Sequence, residues 1–160
     1  MTMAHPSTGA TPEVRTRAKA PPAFAAVERL ALVYARLALG AAFLSGVAAR
    51  FGLWGAQSSW RNFADFTRYT AEVNSFMPAS TIPFLAWGAT VAELTLGVAL
   101  VLGLWRRWAA LGSAVLLALF ATAMAVSFGI KSPLDYSVFS ASAAALLLAL
   151  HPEPGAGVPA

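Results

Sequence analysis

The sequence predicts an all-α protein, a four-helix transmembrane bundle with a short amphipathic interfacial helix between the first and second spans. Three observations carry this expectation. The 160 residues are 58% hydrophobic and only 11% charged, against roughly a quarter charged in an ordinary soluble domain. The apolar residues fall in long runs, and most of the basic ones stand at the ends of those runs. One run, IPFLAWGATVAELTLGVALVLGL from Ile82 to Leu104, is apolar throughout except for Glu93 at its midpoint. A helix rises about 1.5 Å per residue, so such a run crosses a hydrocarbon core of about 30 Å. A soluble fold of this length could not hide so much apolar surface, which makes membrane lipid its first partner.

Composition also excludes several functions. The formal charge of +4 belongs to orientation signals beside apolar runs rather than to a nucleic-acid footprint. There is no cysteine, which removes disulfides, thiol redox chemistry and thiolate metal ligands together. The two histidines, His5 and His151, lie outside every apolar run, so no intramembrane haem ligand is in view. No metal site is expected. A redox role would have to act through a partner or a bound organic cofactor such as a quinone.

Taken in order, residues 1–22 are rich in Pro, Ala and Thr without apolar periodicity and read as a disordered tail. The membrane domain follows, 23–150, with spans expected at about 29–53, 82–104, 108–128 and 134–150. Within the first run, Val47-Ala48-Ala49 resembles a signal cleavage site. The long preceding region and Arg36 argue instead for a retained span. Between the first two spans, Arg61, Asp65, Arg68 and Glu72 share one helical stripe with alternating sign, while Trp60, Phe63, Phe66 and Val73 fall mainly opposite. Ser58 or Ser59 is placed to cap this helix. It lies on the membrane surface or over the bundle mouth, either as a lid over helix ends or as a partner-docking surface built on Trp60, Arg61, Phe63, Asp65, Arg68 and Glu72.

Pro83 fits the first turn of the second span, where its missing N–H does no harm. The Arg106-Arg107 corner sits between Trp105 and Trp108, an aromatic and basic boundary typical of a membrane surface. Gly129 is placed as a helix stop. Ser132, Pro133 and Asp135 read as cap, first-turn proline and third-position acid of the fourth helix. Residues 151–160 read as a second disordered tail. Arg29, Arg106 and Arg107, with Arg15, Arg17 and Lys19, mark an inner side; Arg50, Arg61, Arg68 and Lys131 fall outside. The positive-inside rule then places both termini in the cytoplasm. Small-residue seams are expected to pack the helices: Gly88, Ala92, Ala99 and Gly103; Ala110, Ala114, Ala118 and Thr122; Ser137, Ala141 and Ala145.

These residues carry a family resemblance. An Arg-Leu-x-Leu-Gly start (Arg36 to Gly40), Ala92-Glu93-Leu94 with Gly97, Leu102-Gly103-Leu104 before Arg106-Arg107, and Ser132-Pro133-Leu134-Asp135-Tyr136 resemble the DoxX family of small four-helix bacterial membrane proteins. The resemblance covers about 29–150. It implies residence in the bacterial inner membrane and association with quinol-oxidising or sulfur-oxidising complexes. Where wider relatives use cysteine pairs, this chain has none.

Glu93 is costly at the bilayer centre, a few kcal/mol by analogy with roughly 2.5–3.5 for other ionised residues. Three readings are open: a polar staple to a neighbouring helix, half of a buried pair with Arg36, or a proton or ligand site. Arg36 would lie about 9 Å deep and Glu93 about 16 Å deep, which strains that pairing. The leading functional expectation is a non-catalytic accessory subunit of a membrane oxidoreductase. The other is a small transporter or quinone or lipid binder built around Arg36 and Glu93. A redox complex or a homo-oligomer is the assembly expected.

Overall fold

The computed structural model describes residues 22–151. The expected disordered tails, apart from Pro22 and His151, lie outside the described residues. Helix α1 runs Pro22–Arg50, α2 Phe63–Val73, α3 Ile82–Leu102, α4 Arg106–Phe128, α5 Lys131–Asp135 and α6 Val138–Leu150. The fold is all-α, a helical bundle of the transmembrane kind.

Glycines end two of the long helices in the same way. At α1, Gly52 (φ +69) lets Leu53 N–H donate to Ala48 O at 3.0 Å and Gly52 N–H to Ala49 O at 3.1 Å. At α3, Gly103 (φ +73) lets Leu104 N–H donate to Ala99 O at 2.9 Å. A left-handed residue past the last turn satisfies carbonyls that would otherwise be orphaned, and glycine adopts that conformation without a Cβ penalty. Gly129, also at positive φ, closes α4.

The four long elements form a square in the order α1, α3, α4, α6, each antiparallel to its neighbours, with α1 packed along α3 and α4 along α6. The ends of the domain meet on one face, where His151 Nε2 lies 3.6 Å from Glu28 Oε1. Alanines fill the centre: Ala99, Ala109, Ala110, Ala114, Ala145 and Ala149 are buried with Leu39, Phe43 and Leu100. Ser142 Oγ, on α6, donates to Ala114 O across the α4 contact at 2.8 Å. At the α1–α3 crossing two glycines stand back to back. A Cβ on Gly40 would lie 3.0 Å from Gly97 O, and one on Gly97 would lie 3.2 Å from Gly40 O. Such backbone proximity is how helices associate in lipid, where dispersion and short polar contacts replace the hydrophobic effect.

The expected seams are therefore corrected in part. Gly88 faces open space, and Ala118, Thr122 and Ser137 are exposed. Helix α3 is apolar on every face, so spacing alone could not choose which side turns inward. Ala99, Ala110, Ala114 and Ala145 do lie in the core.

Among the described residues, three helices are long and apolar enough to cross a membrane: Ala23–Arg50, Ala79–Leu102 and Arg106–Phe128. The expected fourth span is broken. Tyr136 leaves helical geometry and Ser137 is left-handed (φ +55), so α5 and the 13-residue α6 share that leg. At about 1.5 Å per residue α6 alone is shorter than a hydrocarbon core. The expected cap at Ser132 and Asp135 is also corrected. The helix starts two residues earlier, at Lys131, with no side-chain cap. Ser132 sits inside its first turn, and Asp135 accepts from Lys131 Nζ instead. The outer surface is apolar, with exposed Trp54 and Trp87 toward one end and Trp105 and Trp108 toward the other. That is the aromatic girdle of a membrane protein.

Candidate functional site: a buried ion pair beneath α2

Helix α2 lies across the bundle at the end where α1 and α4 finish and α3 begins. Its start is set by Asn62, whose side chain accepts from Asp65 N–H at 3.0 Å, while the Asp65 carboxylate accepts from Arg61 N–H at 3.2 Å. These two bonds replace the cap expected from Ser58 or Ser59. Ser58 Oγ instead donates to Ala49 O at 2.6 Å, tying the connecting loop to the end of α1. Phe66, Thr70 and Val73 are buried on the inner face of α2. Trp60 and Phe66 meet edge to face at 5.1 Å, and Phe63 packs on Trp87 of α3 at 4.3 Å.

Beneath this aromatic layer lie Arg50, Thr90 and Glu93, each no more than 4% exposed. Arg50 Nη2 donates to Glu93 Oε1 at 2.5 Å, and Arg50 Nη1 donates to Thr90 Oγ1 at 2.9 Å. Thr90 Oγ1 in turn donates a hydrogen bond to Ala86 O at 2.7 Å. The guanidinium lies over the Phe66 ring, 3.9 Å from its centroid, a cation–π contact strengthened by desolvation. Gly46 makes room for the acid, since a Cβ there would lie 3.2 Å from Glu93 Oε2. Arg50 Nε is buried with no hydrogen-bond partner among the described residues. The last turn of α1 carries the negative end of its helix dipole, which favours a cation at this position.

Glu93 thus pairs with Arg50 and not with Arg36. Arg36 and Arg50 are separated by about 21 Å along α1, and the structure carries Arg36 to the opposite end of α3. There its guanidinium covers Gly103; a Cβ on that glycine would lie 2.5 Å from Arg36 Nη1. Arg36 Nε is buried and has no partner among the described residues. The carbonyl end of α3 offers it a favourable field. Sequence reasoning placed Arg50 among outer-surface charges. The signal that identifies it is the core-facing stripe Leu39, Phe43, Val47, which reaches Arg50 at helical spacing.

Of the other residues singled out, Arg29, Arg106 and Arg107 are exposed at the end that also holds the meeting of Glu28 and His151. On α2 and the two residues before its cap, Arg61, Arg68 and Glu72 are exposed, whereas Trp60, Phe63 and Asp65 are half-buried. Arg68 pairs with Asp65 at 2.5 Å. Between them Tyr136 and Glu72 add to the effect of burial in pushing the Tyr69 phenol above its usual range. Among the described residues no three His, Cys, Asp or Glu side chains gather as a metal site. What the buried cluster does chemically is neutralise itself: one cation, one anion and one hydroxyl close on each other.

Comparison with known proteins adds one match. Residues 55–135 fit the family model described as methylamine utilisation protein MauE. No curated protein and no solved structure matches the chain. The match corrects the expected DoxX membership. The motifs behind that expectation perform tasks any small bundle sets: Gly40 and Gly97 make a crossing, Gly103 ends a helix, and Arg106-Arg107 marks a boundary. Such tasks do not separate one four-helix family from another. The matched segment spans α2 to α5 and includes Thr90 and Glu93.

Proposed function

Because the chain belongs to the MauE family of methylamine utilisation proteins, we propose that this integral membrane protein is a non-catalytic accessory subunit serving a membrane redox system. Use of methylamine requires oxidation at its C–N bond, so a membrane protein of such a system works beside electron-transfer partners. The observation that supports an accessory role is the closure of the Arg50–Thr90–Glu93 cluster beneath α2. Its charges are spent on joining α1, α3 and α2. The exposed face of α2, with Arg68 and Glu72, together with Arg61 just before its cap, is the docking surface in this reading. The basic residues Arg29, Arg106 and Arg107 face the cytoplasm, across the inner membrane from α2.

Purification of the tagged protein in mild detergent tests the proposal. A stoichiometric oxidoreductase subunit is expected to accompany the native chain and to be lost from an Arg61→Glu/Arg68→Glu variant that still folds. A partner-free protein that binds a quinone, or moves a solute once reconstituted, overturns it.

A further inference from the structure

The α3–α4 face carries an apolar groove of about 440 Å³. Its α4 wall is two adjacent i, i+4 rows, Leu111, Val115 and Leu119 beside Trp108, Gly112 and Leu116. Helical spacing carries the first row one turn further toward the start of α4 to Arg107, just beyond the groove. Leu96 forms the α3 wall, and Gly112 lies at the floor, where a Cβ would come within 3.0 Å of Leu96 Cδ2. Trp108 stands at the mouth, 70% exposed. From Trp108 to Leu119 the groove runs about 17 Å, close to the depth of one leaflet, half of a core of about 30 Å.

We propose that this groove is a binding site for one anionic phospholipid, with an acyl chain along Leu111, Val115 and Leu119 and the phosphate at Arg107. Three features fit that occupant better than a second protein chain. The wall is apolar over one leaflet and then turns cationic at the depth where a phosphate lies. Trp108 brings an amphipathic ring to the same level, as residues at the headgroup boundary do. The positive end of the α4 dipole points to this mouth and adds to the attraction for an anion. Basic pockets between membrane helices recognise lipid headgroups by this combination of charge and groove.

Native mass spectrometry of the full chain, with phosphatidylglycerol or phosphatidylcholine added to the micelles, tests the site. Phosphatidylglycerol is expected to be retained in preference, one per chain. Arg107→Gln should reduce that preference about fivefold, the effect of one basic residue near a membrane surface. Val115→Trp, which fills the groove from an exposed position, should reduce retention of the lipid while leaving the fold intact. Arg68→Gln, at the far end of the bundle, should change neither. Equal retention of the two lipids, or an Arg107→Gln variant that keeps full preference, overturns the proposal. So does a native dimer that Val115→Trp converts to monomer without altering lipid retention, since the groove would then hold a second copy.

Discussion

Arg50, at the last position of α1, and Glu93, in the middle of α3, form a salt bridge of 2.5 Å with about 5% of either side chain exposed. The pair ties two helices already joined lower down by Gly40 and Gly97, and it does so where α2 closes over the bundle. Removing one partner from a buried pair leaves an uncompensated charge. Glu93→Ala should therefore cost about 3–5 kcal/mol, read as a lowered melting midpoint in detergent. Glu93→Gln retains an acceptor for Arg50 and should cost less. Equal stability of Glu93→Ala and the native chain would remove the structural role.

The glycine crossing gives a second expectation. A Cβ at Gly40 would stand 2.8 Å from Val101 Cγ2 and 3.0 Å from the Gly97 carbonyl. Backbone cannot yield as a flexible side chain can, so Gly40→Ala should destabilise the bundle by about 1–3 kcal/mol. Gly88→Ala, facing open space, should leave the melting midpoint unchanged. A Gly40→Ala variant as stable as Gly88→Ala would show that α1 and α3 do not meet there.

Helix α2 can be loosened without opening the bundle. Asn62 holds its first turn through Asp65 N–H, and loss of such a cap costs about 1 kcal/mol. In Asn62→Ala, hydrogen exchange should quicken over 63–73 and stay slow in α3 and α4. Uniform quickening through all the helices would mean that α2 is part of the folding core rather than its cover.

The antiparallel order fixes which residues share a side. Single cysteines at Arg29→Cys and Arg107→Cys should react with an impermeant thiol reagent from one side of the membrane, and Arg61→Cys from the other. Labelling of Arg107→Cys and Arg61→Cys from the same side would contradict the order of the helices.

Much of this architecture was legible because membrane burial leaves coarse marks. Long apolar runs, the glycine stop at Gly129, and tryptophans beside Arg106-Arg107 reveal helices and their ends, whereas Gly103 read as part of a packing seam rather than as the end of α3. The inner side of each helix was harder to read. A helix such as α3 is apolar all round, so periodicity distinguished neither Gly97 from Gly88 nor the partner of Glu93. Arg50 looked like a boundary charge, as its position in sequence suggests. Only the fold of residues 51–62 over the end of α1, fixed by Gly52 and Ser58, and the cover supplied by Phe66 turn it into a buried one. The break at Tyr136-Ser137 was hidden for a related reason. Residues 134–140 include neither glycine nor proline to mark a stop, and a left-handed serine leaves no sign in composition.

The most direct measurement is a double-mutant cycle on Arg50 and Glu93, with unfolding followed by SDS titration in mixed micelles. If the two residues serve only to join helices, Arg50→Met and Glu93→Met should each weaken the fold severely. The double variant should then recover much of the loss, with a coupling of at least about 1 kcal/mol. Strictly additive losses would show that the two side chains do not act on each other, and the bond on which this account rests would be absent.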